Sequence, residues 1–574
     1  MDYRKLISAE LAKVLGKGEE EIGKHIEVPK SKELGDFAFP CFMLAKEMRK
    51  SPAEIAGEIS AKISKPKGIR EIRVSGPYLN FFVNEENFAK EIIAKVIDEG
   101  RDYGKGSSLK KKKIMVEYSA PNTNKPLHVG HLRNDSTGMA IIRILEANGA
   151  DVVKADLFSD RGAHICKSMI AYQKWGEGKT PEKEKIKGDQ FAGKYYVMFC
   201  EEAEKNPDLE KEALEMLAKW EGGDKEVRAL WKKMDGWATN GFKETYKNFG
   251  SEFDVVFRES DFYGKAKPFI DEGLKKGIFE ETENGTIAKL EAYGLPDKTI
   301  LRKDGTSIYM TADMPLTRHK FEKYKIDEAI WVVGSEQKLY FEQLFKILEL
   351  LGYDWAKKCR HLSYEMIYLP EGKLKSREGR VVDADELIGK AEKAALDEIE
   401  KRYPKLGKKE KEERAKAIGL SAIKFFMLRI DPNKTMLFET EKAVSFEGET
   451  GPYVQYSYAR AKSILRKAKA EKKIKEIAKK ADFGKLNSNE EKELVSLVNN
   501  FGAVSEEAAR KLAPDKVCQY LIELCLKFNS FYHSHPVIGE EKGLEEARLA
   551  LVYAVAQTIK NGLHLLNIEV LEEM

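Results

Sequence analysis

The sequence predicts a mixed fold: a small α/β block, then a parallel α/β core, then an almost wholly helical block. Three observations predict it. Apolar strand-like runs alternate with helical patterns between about residues 111 and 390, which is the signature of a parallel sheet with crossover helices. From about 391 onward the apolar positions recur only at helical spacing. A glycine-, serine- and lysine-rich connector, "GRDYGKGSSLKKKK" at 100–113, separates the first block from the core.

The chain has 574 residues, 42% of them hydrophobic and 34% charged, enough for several domains with real cores and a well-solvated surface. No apolar run approaches the roughly 18 residues that a membrane helix needs. The opening "MDYRKLISAELAKVLG" reads as an amphipathic helix with charges throughout, not as a signal peptide. Six cysteines are scattered without a C-x-x-C pair, which argues against a zinc ribbon or a disulfide framework and for a reducing cytoplasm.

In the first block, expected to span 1–105, helices mix with short strands such as "YLNFFV" at 78–83. In the core, expected at 106–390, the strand-like runs are "IMVEY", "DVVKADLF", "EAIWVVG" and "EMIYL". A charged, mostly helical insertion is expected at about 176–295. The last block, 391–574, reads as a helical bundle, with stretches such as "AKAIGLSAIKFFMLRI" and "KVCQYLIELCLKFNSFYHSH". Cys518 and Cys525 lie seven apart on one helical face and read as core residues.

Net charge is only +4, yet ten Lys/Arg face two Glu between Arg460 and Lys480. Such a stripe attracts phosphates, although a solvated helix face would look the same.

The chemistry concentrates in "SAPNTNKPLHVGHLRND", 119–135. Two of the nine histidines stand there, between a strand that stops at Pro121 and a helix closed by Asn148-Gly149. An H-x-G-H pattern is expected by chance only about 0.01 times in a chain of this composition. The carboxyl end of a parallel strand is where ligands bind in open α/β sheets, and a helix N-terminus suits a phosphate. Gly130 would let a base or sugar approach the backbone, and His128 and His131 could donate hydrogen bonds to a phosphate gaining charge. A helix cap or half of a metal site would also account for the pair. No third His or Cys lies at zinc-ligand spacing, and "GEGKT" at 176–180 lacks the first glycine of a Walker loop. Downstream, "LPEGKLKSREGRVV" at 369–382 could close over a triphosphate, with Lys373 and Lys375 neutralising charge and Ser376 donating; an ordinary surface loop reads the same way.

These two motifs in this order, followed by a helical block, resemble the class I aminoacyl-tRNA synthetases. The HIGH-type element is His128-Val129-Gly130-His131, and a degenerate KMSKS-type element is Lys373-Leu374-Lys375-Ser376-Arg377. "EYSAPNTNKPLHVGHLRN", "SDRGAHICKSM", "YMTAD", "GSEQKLYFEQLFKIL" and "GPYVQYSYARAKSIL" are similar to the arginyl-tRNA synthetase family. "GDFAFP" at 35–40 resembles that family's N-terminal add-on domain.

The resemblance implies a Rossmann-like catalytic domain with a helical insertion, a C-terminal helical-bundle anticodon-binding domain and a small α/β add-on domain. It implies a ligase that activates L-arginine with ATP, requiring bound tRNA for that step, and transfers it to the 2′-hydroxyl of the terminal adenosine of tRNA-Arg. Its partners would be tRNA-Arg, L-arginine and ATP, with Mg²⁺ accompanying ATP, no structural metal, no DNA and no membrane. Carried over residue by residue, it places His128, Gly130, His131 and Lys373 on ATP, and Glu117, Asn122, His131, Tyr309, Asp313 and Gln337 around arginine. The residues themselves agree: a guanidinium is always charged and forked, so its pocket needs carboxylates, and Tyr309 and Asp313 are four apart on one helix face. Two departures stand out in the second loop: Leu374 and Ser376 replace the usual Met and second Lys, and Glu378 stands where a lysine is common. Members with such a loop tend to carry a lysine just before the first motif, and Lys125 fills that place. Phe37 and, in the last block, Tyr453, Tyr456 and Arg460 are the expected tRNA contacts, the latter interleaving aromatics and a cation; a plain core role for Phe37, and core aromatics beside a solvated face in the last block, would read the same way.

Overall fold

The computed structural model describes residues 3–29, 34–303, 309–368 and 382–574. They form two compact units. One comprises Met1–Tyr103, Ala461–Asn500 and Leu526–Thr558; the other comprises Gly104–Arg460, Phe501–Cys525 and Ile559–Met574.

In the first unit, β1 (Phe37–Pro40), β2 (Ile69–Ser75) and β3 (Tyr78–Val83) make an antiparallel sheet in the order β1-β3-β2. The opening segment is the amphipathic helix that the sequence predicts, Tyr3–Leu15, burying Tyr3, Ile7, Leu11 and Ala12. Helix Pro52–Lys62 starts on a capping box: Ser51 accepts from Glu54 N, and Glu54 accepts from Ser51 N. Phe37 is only 6% exposed and stacks on Tyr3 at 6.4 Å. Of the two readings the sequence leaves open for Phe37, core residue or tRNA contact, this burial fits the core role. Among the described residues of this block, the exposed aromatic is Phe42.

The second unit is built on a five-stranded, all-parallel sheet. Its strands are β4 (Lys113–Glu117), β5 (Asp151–Phe158), β6 (Val255–Arg258), β10 (Glu328–Gly334) and β11 (Cys359–Tyr364), in the order β11-β10-β4-β5-β6. The first strand in sequence is therefore central. The chain winds outward on one side through β5 and β6, then returns to wind the other way through β10 and β11. The reversal lies between β4 and β10, and the crevice beyond their carboxyl ends is the ligand position of doubly wound sheets. β4 is buried from Ile114 to Glu117, as a strand covered on both faces must be.

Three more strands, β7 (Phe279–Thr282), β8 (Gly285–Ala288) and β9 (Lys298–Arg302), form a separate antiparallel sheet. β12 (Ile367–Tyr368) and β13 (Met436–Leu437) form a two-residue parallel pair.

Three sequence expectations differ from the structure. The segment expected as an insertion at 176–295 contains β6, a strand of the main sheet; helices do fill it from Gly188 to Phe249. "EMIYL" supplies only β12, outside the main sheet, and the neighbouring "CRHLSY" supplies β11 instead. The expected boundary at 390 falls inside helix Ala384–Arg402. That helix packs with helix Lys408–Leu428 in one core with Leu127, Val129 and Leu132 of the H-x-G-H region. Cys518 and Cys525 are fully buried, as expected.

Candidate active site

β4 delivers the chain to the switch point and stops at Glu117. Ser119 and Ala120 then adopt left-handed conformations, φ 72° and 52°, that residues with a Cβ rarely hold. Four hydrogen bonds fix this turn. Ser119 N donates to Asn134 Oδ1 at 2.7 Å, and Ala120 N to Asp156 Oδ1 at 2.9 Å. Tyr246 OH bonds Ser119 Oγ and Asp156 Oδ2, both at 2.9 Å. Asn134 also donates to Val332 O of β10 at 2.7 Å, so β4, β10 and the following helix are tied at one point. Backbone strain held this firmly by its surroundings is typical of functional sites.

Helix Val129–Ala147 begins at the H-x-G-H, with His128 as N-cap. His128 Nδ1 accepts from Gly130 N, and His131 Nδ1 accepts from His128 N, each at 3.1 Å. Both δ nitrogens are thus acceptors, so in each neutral ring the proton sits on Nε2. Burial pushes His128 down to about 3, with the Lys125 charge adding to it, and pushes His131 well below the usual imidazole range. The site therefore holds two neutral N–H donors, their ring centroids 4.0 Å apart, beside a helix N-terminus. Among the described residues nothing accepts from either Nε2. Gly130 has a local reason as well: a Cβ there would lie 2.8 Å from His128 Cε1, so only glycine lets that ring fold back as a cap.

Lys125 is partly buried and has no carboxylate partner among the described residues; burial lowers its pKa. A cation left uncompensated beside two neutral donors is chemistry for an anion. Lys373, Leu374, Lys375, Ser376, Arg377 and Glu378 lie outside the described residues.

On the other side of the crevice, helix Tyr309–Tyr324 carries the expected pocket residues. Asp313 accepts a hydrogen bond from Tyr340 OH and has no cationic partner among the described residues. Burial raises its carboxyl to about 6, and the Tyr340 bond opposes that rise. Tyr309, one turn earlier, is exposed. Asn122 follows the strained turn and bridges to Ser159, and exposed Gln337 ends the turn that follows β10. Glu117 differs from expectation. Its Oε2 lies 2.5 Å from Lys320 Nζ, with both side chains buried, so its charge is already balanced inside the protein.

Glu259, just after β6, escaped the sequence reading. It is 6% exposed; its Oε2 has no hydrogen-bond partner, and Arg161 Nη1 lies 3.7 Å from Oε1. Burial raises its carboxyl to about 8, and the charges of Asp313 and Asp160 push the same way. Burial raises the Tyr309 and Tyr340 hydroxyls as well, and the Glu259 charge adds to both rises, which makes it a candidate for the same pocket. A carboxylate closing an apolar strand, "VVFRE", was the available signal.

On helix Gly451–Lys467, Tyr453, Tyr456 and Arg460 are only partly buried, whereas Val454, Gln455, Ser457, Tyr458 and Ala459 between them are buried. Their spacing of three and four puts them on one face, with the Arg460 guanidinium 4.8 Å from the centroid of the Tyr456 ring.

Three family models match the chain: arginyl tRNA synthetase N terminal domain over residues 1–83, tRNA synthetases class I (R), catalytic domain over 92–439, and DALR anticodon binding domain over 454–574. An arginine–tRNA ligase of Treponema denticola is 44% identical over 96% of this chain and 95% of its own. One from Clostridium perfringens is 40% identical over the whole of both chains. The solved arginyl-tRNA synthetase of Thermus thermophilus superposes with a TM-score of 0.84 at 28% identity, covering both chains fully. With its parallel sheet, its helix-capping histidines and a catalytic-domain model spanning more than half its length, the chain belongs to the arginyl-tRNA synthetase family of class I tRNA synthetases.

Proposed function

We propose that the chain charges tRNA-Arg with L-arginine in two steps. In the first, the arginine carboxylate attacks the α-phosphorus of ATP; a P–O bond forms and pyrophosphate leaves, giving arginyl-adenylate. In the second, the 2′-hydroxyl of the terminal adenosine of tRNA attacks the activated carbonyl and AMP leaves. The carrying observation is the pairing, across one switch point, of a phosphate cradle at a helix N-terminus with Asp313, a carboxylate that has no cation of its own among the described residues.

Little covalent work falls to the protein in such a displacement; positioning and charge stabilisation dominate. The two Nε2–H donors of His128 and His131 serve phosphate oxygens as their charge grows, and their neutrality leaves no proton to lose on the way. Lys125 adds a full positive charge. Lys373, Lys375 and Ser376 are assigned to the β- and γ-phosphates. Mg²⁺ is assigned to ATP itself and would supply charge screening for its phosphates. No group of three metal-ligating side chains occurs among the described residues. In the amino-acid pocket, Asp313 takes the guanidinium, with Tyr309 and Glu259 beside it, while Asn122 and Gln337 hold the α-amino and carboxylate ends. Glu117 lines the floor as half of a neutral pair.

For tRNA, the face carrying Tyr453, Tyr456 and Arg460 suits splayed, stacked bases, and the exposed basic residues between Arg466 and Lys480 suit phosphates. The first step is proposed to wait for bound tRNA. A reducing, cytoplasmic setting fits six cysteines of which none is paired, and among the described residues no helix is long and apolar enough to cross a membrane.

ATP–pyrophosphate exchange against all twenty amino acids, with and without total tRNA, tests the reading. Exchange with arginine alone, appearing when tRNA is added, is expected. Exchange with another amino acid would discard the pocket assignment, and no exchange from folded protein would overturn the activation step.

A further inference from the structure

We infer that Lys320 is a positioning residue for arginine recognition, a resident cation that cancels Glu117 so that Asp313 presents its charge to the guanidinium. The inference rests on the arginine-pocket reading above.

A buried lysine is out of place next to a pocket for a cation. Lys320 is 1% exposed, its Nζ 2.5 Å from Glu117 Oε2 and 4.7 Å from the centroid of the Trp331 ring. It lies seven residues, about two helical turns, beyond Asp313, and so on the same helix face. Glu117 is its only ionic partner among the described residues. Long-range attraction to arginine would favour removing such a charge, so its presence needs a local reason.

The reason lies in the number of acids. Asp313 is faced by Tyr340 from helix Lys338–Leu350, by Glu117 from the end of β4, by Glu259 from the turn after β6, and by Tyr309 and Lys320 from its own helix. Arg161 is shared between Glu259 and Glu221. Three carboxyls facing one another, two of them buried and Asp313 half-buried, cannot all stay ionised without cations, because each disfavours the others' charge. Glu259, raised to about 8, keeps its proton at neutral pH and leaves Arg161 to Glu221, while Lys320 offsets Glu117. Asp313 is left with a neutral donor, Tyr340, that fixes one oxygen in place. The pocket thereby matches one guanidinium in charge. Without Lys320, Glu117 and Asp313 would repel each other, and Asp313 would hold its proton to higher pH.

Steady-state aminoacylation of tRNA-Arg by the full chain, measured against arginine concentration across a pH series, tests this with K320M, K320R and E117Q/K320M. K320M is expected to raise the arginine KM by about tenfold, the effect of one pKa unit, with kcat changing far less and the acid limb of kcat/KM moving to higher pH. K320R is expected to behave as wild type. E117Q/K320M, which removes both charges together, is expected to return KM to within about threefold of wild type, since the two effects are coupled. Wild-type KM and pH limb in K320M would overturn the inference. So would parallel losses in kcat and in the arginine and tRNA KM values with an unmoved limb, or a double variant no better than K320M. If K320M fails to fold, K320R and the double variant carry the same test. D313N separates the two claims: an unchanged arginine KM in D313N removes the pocket reading itself, whereas a raised KM there with no effect in K320M removes only the role of Lys320.

Discussion

Asp313 and His128 show how single residues here are set by their surroundings. Asp313 is half-buried with a phenol for company, and the loss of solvent around it lifts its carboxyl to about 6, so it stays largely charged at neutral pH. Protonation below that value removes the charge that a guanidinium needs. The arginine kcat/KM is therefore expected to fall as pH drops through about 6, with kcat less affected; a flat profile would show that Asp313 does not carry the charge. Replacing the charge altogether in D313N should raise the arginine KM by about 100- to 1,000-fold, the scale of breaking a buried ion pair. His128 and His131 were legible in the sequence because an H-x-G-H between a strand and a helix rarely arises by chance. Glu259 and Lys320 were not, because their meaning depends on which charges face them, and those partners come from segments far away in the chain.

At the scale of the element, the signature helix and its entry turn carry the site. His128 folds back on Gly130 and His131 reaches back to His128 N, so the two imidazoles are also the helix cap. Gly130→Ala would set a Cβ 2.8 Å from the His128 ring and swing it out of place. The expected result is a loss of about 100-fold in kcat, as for removal of one donor to a developing charge, with a stability loss of only about 1 kcal/mol from the broken cap. Near wild-type exchange rates in that variant would refute the donor role of His128. Strands β4, β5 and β10 could be read directly because each is an apolar run bounded by turns. β6 was missed because it has four residues, Val255–Arg258, inside a charged helical stretch. β11 was missed because "CRHLSY" is only moderately apolar; its place at the sheet edge leaves four of its six residues partly exposed.

For the molecule as a whole, charge is distributed by function rather than evenly. Net charge is +4, yet Lys467, Lys469 and Lys472 stand in one basic stretch. Reversing all three to Glu is expected to raise the KM for tRNA by about tenfold or more at moderate salt and to flatten its salt dependence, leaving the arginine KM unchanged. An unaltered tRNA KM would reduce that stripe to a solvated face. The sequence by itself determined the fold class and the order of the blocks, and it singled out the H-x-G-H and Asp313 as candidates. These depend on local periodicity and on short-range spacing, which a linear chain records. Only the tertiary structure decided that Phe37 is core, that β6 belongs to the main sheet, that Glu117 is spoken for by Lys320 and that Glu259 joins the pocket. Burial and charge pairing are properties of residues brought together from distant parts of the chain, and only the folded structure records which ones meet.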